Sequence, residues 1–96
     1  MQGGENMSKN ANELIELGEQ ASKKNAVTNS HGQTHYSGVE YEKWAADVVF
    51  FLSDNVDLIP TTLYDKVNNA ALKANGNGEK YYNIIIGFLK SFSERY

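Results

Sequence analysis

The sequence predicts an all-α fold: a compact bundle of about four helices behind a flexible amino-terminal tail. Three observations lead there. Apolar residues recur at three- and four-residue spacing in four separate stretches, helix-capping residues stand at their borders, and only one proline occurs in 96 residues. The polar, glycine-containing stretch Met1–Asn10 reads as the tail, and residues 11–96 as one helical domain. Met1 and Met7 are both possible starts.

The first helix is expected over Ala11–Lys24. Ala11, Leu14, Ile15, Gly18 and Ala21 fall on one face, and Asn10 can cap the first turn through its side chain. Lys23 and Lys24 suit the negative end of the helix dipole. Asn25–Ser37 is rich in Asn, Ser, Thr, Gly and His and reads as a loop. Ser37-Gly38-Val39-Glu40 then has the spacing of a capping box for a second helix, Gly38–Asn55. That helix carries Tyr41, Trp44, Ala45, Val48, Phe51 and Leu52 on a face that Val49 and Phe50 widen beyond what one neighbour needs. It is the expected centre of the fold.

Pro60 sets the start of a third helix, Thr61–Asn75, with Thr61 or Thr62 as cap and Leu63, Tyr64, Val67, Ala70 and Ala71 as its stripe. Asn75-Gly76-Asn77-Gly78 ends it as a helix-to-helix turn. Glu79–Tyr96 mixes two signals. Tyr81-Tyr82-Asn83-Ile84-Ile85-Ile86 has strand-like composition, but the apolar spacing continues to Phe92, which favours a helix. Gly87, costly inside a helix, is expected to mark a close helix crossing.

Composition narrows function more than it names it. Hydrophobic residues make up 41% and charged residues 22%, ordinary for a folded domain. No apolar run approaches the ~20 residues of a membrane span, and no signal peptide opens the chain, so a cytoplasmic location without membrane association is expected. Cysteine is absent, which removes disulfides, thiolate metal sites and cysteine nucleophiles. Asn6-Met7-Ser8 matches a glycosylation sequon, which has no weight outside a secretory route. The net charge is −3, with nine basic and twelve acidic residues dispersed, so nucleic acid is not the expected ligand.

Candidate chemical groups are few. His31 and His35 lie four apart in the polar loop, and two imidazoles do not complete a zinc site. No serine stands in a strand–turn–helix elbow. The arginine-then-histidine spacing of helical toxin ribonucleases is missing, because Arg95 is the sole arginine and no histidine follows it. Glu13, Glu16 and Glu19 suit a solvated helix face, while Asp54, Asp57 and Asp65 suit helix ends. The Asn-Gly turn lacks the lysine of a phosphate loop. The expectation is a protein that is not an enzyme, with no catalytic residue, no cofactor and no metal.

Some residues carry a family resemblance. Leu14-Ile15-Glu16-Leu17-Gly18-Glu19 resembles the L-I-x-x-G-E opening of a small helical module found at the amino terminus of uncharacterised bacterial proteins, several of them associated with antiphage defence. Tyr41-x-x-Trp44 with Phe51-Leu52, and Gly87-Phe88-Leu89-Lys90-Ser91-Phe92, are similar to its later motifs. The resemblance spans residues 11–96 and implies a helical fold without assigned catalytic residues. In that family the module precedes an effector or sensor domain. This chain stops after the closing helix, which leaves an excised module and a free-standing relative both open.

Three functions are weighed on this basis. The leading one is a non-enzymatic protein–protein interaction or oligomerisation module of a bacterial system, with Tyr41, Trp44, Val49 and Phe50 as the candidate interface; Tyr41 and Trp44 are equally the residues a core would use. The second is a small acidic phage-encoded inhibitor that blocks a host defence complex. The third is a small-molecule or nucleotide sensor with Tyr36, Tyr41, Trp44, Tyr81 and Tyr82 lining a pocket between helices.

Overall fold

The computed structural model describes residues 9–96. Four helices are present, α1 (Ala11–Lys24), α2 (Val39–Asp54), α3 (Thr61–Lys73) and α4 (Glu79–Arg95), with a short 3-10 turn, Val56–Leu58, between α2 and α3. The fold is mostly helical but not all-α. Strands β1 (Ala26–Thr28), β2 (Thr34–Tyr36) and β3 (Asn77–Gly78) form a small antiparallel sheet in the order β1-β2-β3.

Each helix starts and stops for local reasons. Asn10 and Glu13 form a reciprocal capping box on α1: the Glu13 backbone N–H donates to Asn10 Oδ1 (2.8 Å) and the Asn10 N–H to Glu13 Oε1 (3.0 Å). Lys9 and Asn10, counted with the tail from the sequence, are thus tied to the body of the fold, Lys9 also by an ion pair to Asp47 (3.4 Å). The rest of the expected tail, residues 1–8, lies outside the described residues. Two expected caps differ. The position before α2 is Gly38 rather than Ser37, and no side chain caps it; the Ser37 N–H donates instead to the Asn25 carbonyl (3.0 Å) and Glu40 pairs with Lys24 (3.0 Å). The position before α3 is Pro60, whose carbonyl accepts from the Tyr64 N–H (2.9 Å), so Thr61 is already helical. Helix α3 ends at Lys73, two residues earlier than expected.

The stretch expected to be a loop is a β-hairpin. Strand β1 pairs with β2 in the register Ala26↔Tyr36, Val27↔His35 and Thr28↔Thr34. Asn29 organises the turn, accepting through Oδ1 from the backbone N–H groups of His31 (2.8 Å) and Gln33 (3.1 Å), and Gly32 supplies a positive φ of 79°. Strand β2 then pairs with β3, His35 opposite Gly78 and Tyr36 opposite Asn77. The Asn-Gly turn is therefore also a strand. Its Gly76 N–H donates to the Tyr36 carbonyl (2.7 Å) and Asn75 Oδ1 accepts from the Gly38 N–H (3.1 Å). In this way the sheet knits the α1–α2 connection to the α3–α4 connection at one end of the molecule.

The helices pack in a closed cycle, α1 on α2, α2 on α3, α3 on α4 and α4 on α1. Their shared interior holds Leu14, Tyr41, Trp44, Val48, Leu52, Val67, Ile85 and Leu89, all essentially inaccessible. At the end away from the sheet, Ser93 Oγ donates to Asn12 Oδ1 (2.7 Å) and joins α4 to α1. Among the described residues no helix is long and apolar enough to cross a membrane.

Gly38 is required by this arrangement. Its φ is +157°, and a Cβ there would overlap the Asn25 side chain, which is itself held by a bond from Nδ2 to the Ala21 carbonyl (2.8 Å). Gly38→Ala is expected to cost about 1–3 kcal/mol through backbone strain and this overlap. Thermal unfolding followed by circular dichroism measures it, and an unchanged midpoint would contradict the turn geometry.

Candidate functional site

The candidate interface read from α2 divides in two. Tyr41 is 0% exposed and Trp44 2%, so neither is on the surface; both belong to the core. The reason lies in the sheet. Tyr36 from β2 and Tyr82 from α4 pack on Tyr41 and Trp44, and the four rings close on one another with centroids 5.3 Å (Tyr36–Tyr41), 5.5 Å (Tyr41–Trp44), 5.7 Å (Trp44–Tyr82) and 5.3 Å (Tyr36–Tyr82) apart. Val49 is half-buried against the core, and Phe50 alone of the four stands out, 68% exposed. Asp47 and Asp54 flank Phe50 at helical spacing, so it is a single apolar side chain on a polar face.

The same ring cluster answers the sensor expectation. Tyr36, Tyr41, Trp44 and Tyr82 do converge, but they fill the space with each other; Tyr81 lies apart, half-buried, with Lys80 Nζ 5.1 Å from its ring centroid. Tyr36 Oη donates to Glu79 Oε2 (3.1 Å). Tyr41 Oη is buried with no hydrogen-bond partner among the described residues. Burial, with the neighbouring Tyr36 and Tyr82 phenols adding to it, pushes the Tyr41 phenol far above its ordinary value. Tyr36 is raised too, by burial first and by the Glu79 hydrogen bond and charge second.

His31 sits on the hairpin turn and His35 on β2, the first exposed and the second half-buried. Among the described residues no three His, Asp or Glu side chains cluster as a metal site. Glu13 caps α1, and Glu16 and Glu19 remain on that helix, away from any shared carboxylate cluster.

The surface feature that the sequence did not reveal lies at the end opposite the sheet. Leu58, Ile59 and Pro60 from the α2–α3 connection, Leu63 from α3, and Phe88, Phe92 and Tyr96 from α4 line a groove of about 240 Å³. Leu58, Leu63 and Tyr96 are exposed there, and the Phe92 and Tyr96 rings lie 4.7 Å apart. Among the described residues its polar side-chain groups are Ser91, Arg95 and the Tyr96 phenol, with no carboxylate or imidazole side chain to serve as base. A second depression, lined by Asn10, Asn12, Phe51, Asp54 and Ser93 among others, lies on the other side of the same Phe92–Tyr96 ridge. Two residues explain why the sequence conceals the groove: Leu58 stands outside any helical stripe, and Tyr96 lies beyond a pattern that stops at Phe92.

Comparison with protein-family models, curated proteins and solved structures gave no match. Four of the residues that carried the family resemblance, Leu14, Gly18, Tyr41 and Trp44, meet where α1 packs on α2. Trp44 Nε1 donates to the Leu14 carbonyl (2.8 Å), and the indole lies directly on Gly18. Leu14, Gly18, Tyr41 and Trp44 therefore report how α1 and α2 pack.

Proposed function

We propose that the protein is a non-enzymatic interaction module that docks a protein partner through the groove between α3 and α4 at the end opposite the sheet. The observation behind this reading is the convergence there of Leu58, Leu63 and Tyr96, all exposed, around Phe88 and Phe92, with Arg95 at the side. Aromatic residues with arginine, ringed by little other charge, are the composition of a protein-binding hot spot. Two physical points support it. Large apolar side chains grouped at one site lose more water on docking than the same number scattered singly. The groove also lacks the paired acid and base that chemistry on a substrate needs. A bacterial defence setting is the part of the proposal that rests on the resemblance of Leu14–Glu19 and Tyr41-x-x-Trp44 alone.

The test is Leu63→Asp. Leu63 lies in the first turn of α3, where an aspartate suits the helix dipole, so the variant is expected to fold. Native pull-down with mass spectrometry and light scattering would compare it with the unmodified chain. The expected result is a stoichiometric protein complex, weakened at least tenfold by Leu63→Asp; each apolar anchor in such a site carries about 2 kcal/mol or more. Self-association through the same groove would show as a dimer that Leu63→Asp dissolves. A monomer whose captured proteins are indifferent to Leu63→Asp would end the proposal.

A further inference from the structure

A separate cleft runs between α1 and α2 on the side of the molecule away from α3. Leu17, Gln20, Ala21 and Lys24 line one wall at helical spacing on α1, and Glu40, Lys43, Trp44 and Asp47 line the other on α2. Its volume is about 240 Å³. Leu17, Ala21 and the edge of the Trp44 indole give it an apolar floor. Two cross-helix ion pairs strap its ends, Lys24 to Glu40 at 3.0 Å and Lys9 to Asp47 at 3.4 Å. The Lys24 hydrogen bond and charge hold the Glu40 carboxyl below its usual range.

The charges do not cancel. Three lysines and two carboxylates line the cleft. Both carboxylates are engaged by Lys9 and Lys24, and Lys43 has no ion-pair partner among the described residues. One positive charge is therefore left over at the rim of an apolar cleft whose lining also includes Gln20. A neutral apolar ligand would leave that ammonium unused. A dianion such as a phosphate monoester would meet one free cation and two carboxylates. The complement is a single negative charge on an apolar body.

We propose that the α1–α2 cleft binds a small organic monocarboxylate, its apolar body on Leu17, Ala21 and Trp44 and its carboxylate on Lys43 Nζ. The ligand class follows from the charge left over and the size of the cleft. This site shares no residue with the α3–α4 groove and stands or falls independently of it.

Trp44 is the sole tryptophan, so its fluorescence reports this cleft. Titration with decanoate, below its micellar range, is expected to change Trp44 emission saturably, while 1-decanol of the same chain length binds about tenfold more weakly. Lys43→Ala is expected to abolish that preference for the anion without altering the thermal midpoint, because Lys43 is exposed and has no ion-pair partner among the described residues. Arg95→Ala, which removes the cation of the other groove, is expected to leave the titration unchanged. Three results would overturn the proposal: no saturable change, equal binding of decanoate and decanol, or an anion preference that survives Lys43→Ala.

Discussion

Gly18→Ala is expected to destabilise the fold by about 2–3 kcal/mol, although alanine is the better helix former. A Cβ at Gly18 would stand 2.5 Å from Trp44 Cζ2 and 2.6 Å from Cε2, closer than carbon atoms can approach. The indole cannot step aside. Its N–H is bonded to the Leu14 carbonyl at 2.8 Å, and the rings of Tyr41 and Tyr82 hold its faces and edges. Relief would require α1 to move off α2, breaking that buried hydrogen bond. For a domain of this size the thermal midpoint should fall by roughly 10–20 °C. Gly87→Ala is the opposite case. Gly87 is exposed inside α4, and a Cβ there would meet nothing within 4 Å, so alanine should add about 1 kcal/mol. Trp44→Phe, which shrinks the ring and removes the N–H, should recover at least about 1 kcal/mol of the Gly18→Ala loss in a double-mutant cycle. If Gly18→Ala and Gly87→Ala both stabilise the protein, the packing of Trp44 on α1 is wrong.

Alkaline pH should unfold the protein through its buried phenols. Tyr41 and Tyr36 keep their protons in the folded state where the phenols of the unfolded chain, with ordinary values near 10, have lost theirs. The unfolded state then binds fewer protons, so stability is constant below about pH 10 and falls as pH rises above it. A phenol that keeps its proton in the fold contributes a slope of up to about 1.4 kcal/mol per pH unit, and Tyr41, the more strongly raised of the two, gives the larger share. Tyr41→Phe separates the two residues. At neutral pH it should raise stability by about 1 kcal/mol, since the lost hydroxyl is buried without a partner among the described residues. Above about pH 10 it should flatten the decline, leaving only the smaller Tyr36 share. Urea unfolding between about pH 8 and pH 12 measures both effects. A neutral-pH loss of stability in Tyr41→Phe would mean that the hydroxyl is satisfied in solution.

The helices were legible because their signals are local. Leu14, Gly18 and Ala21 on α1 repeat at helical spacing within two turns, and Asn10 marks the start three residues before its partner Glu13. The strand-like Tyr81–Ile86 stretch resolves as helix for the same reason, since the spacing runs on through Phe88, Leu89 and Phe92. The sheet was not legible. Strand β3 is two residues long, too short for any alternation, and its partner β2 lies some forty residues earlier in the chain. The α3–α4 groove was hidden likewise, because Tyr96 lies more than thirty residues along the chain from Leu58 and Leu63.

The two glycines show where the division falls. From the sequence, Gly87 is the residue expected at a helix crossing and Gly18 one more member of an apolar stripe; in the fold Gly18 is the residue at the crossing and Gly87 lies exposed. Spacing and capping determine that α1, α2, α3 and α4 form and which face of each turns inward, since backbone hydrogen bonds and side-chain periodicity act within a few residues. Which side chain meets which is decided by rings and backbones brought together from distant positions. Trp44 lies on Gly18, Tyr82 of α4 meets Trp44, and Tyr36 is brought onto Tyr41 by a sheet formed only once both connections lie side by side, while Phe50 stays exposed.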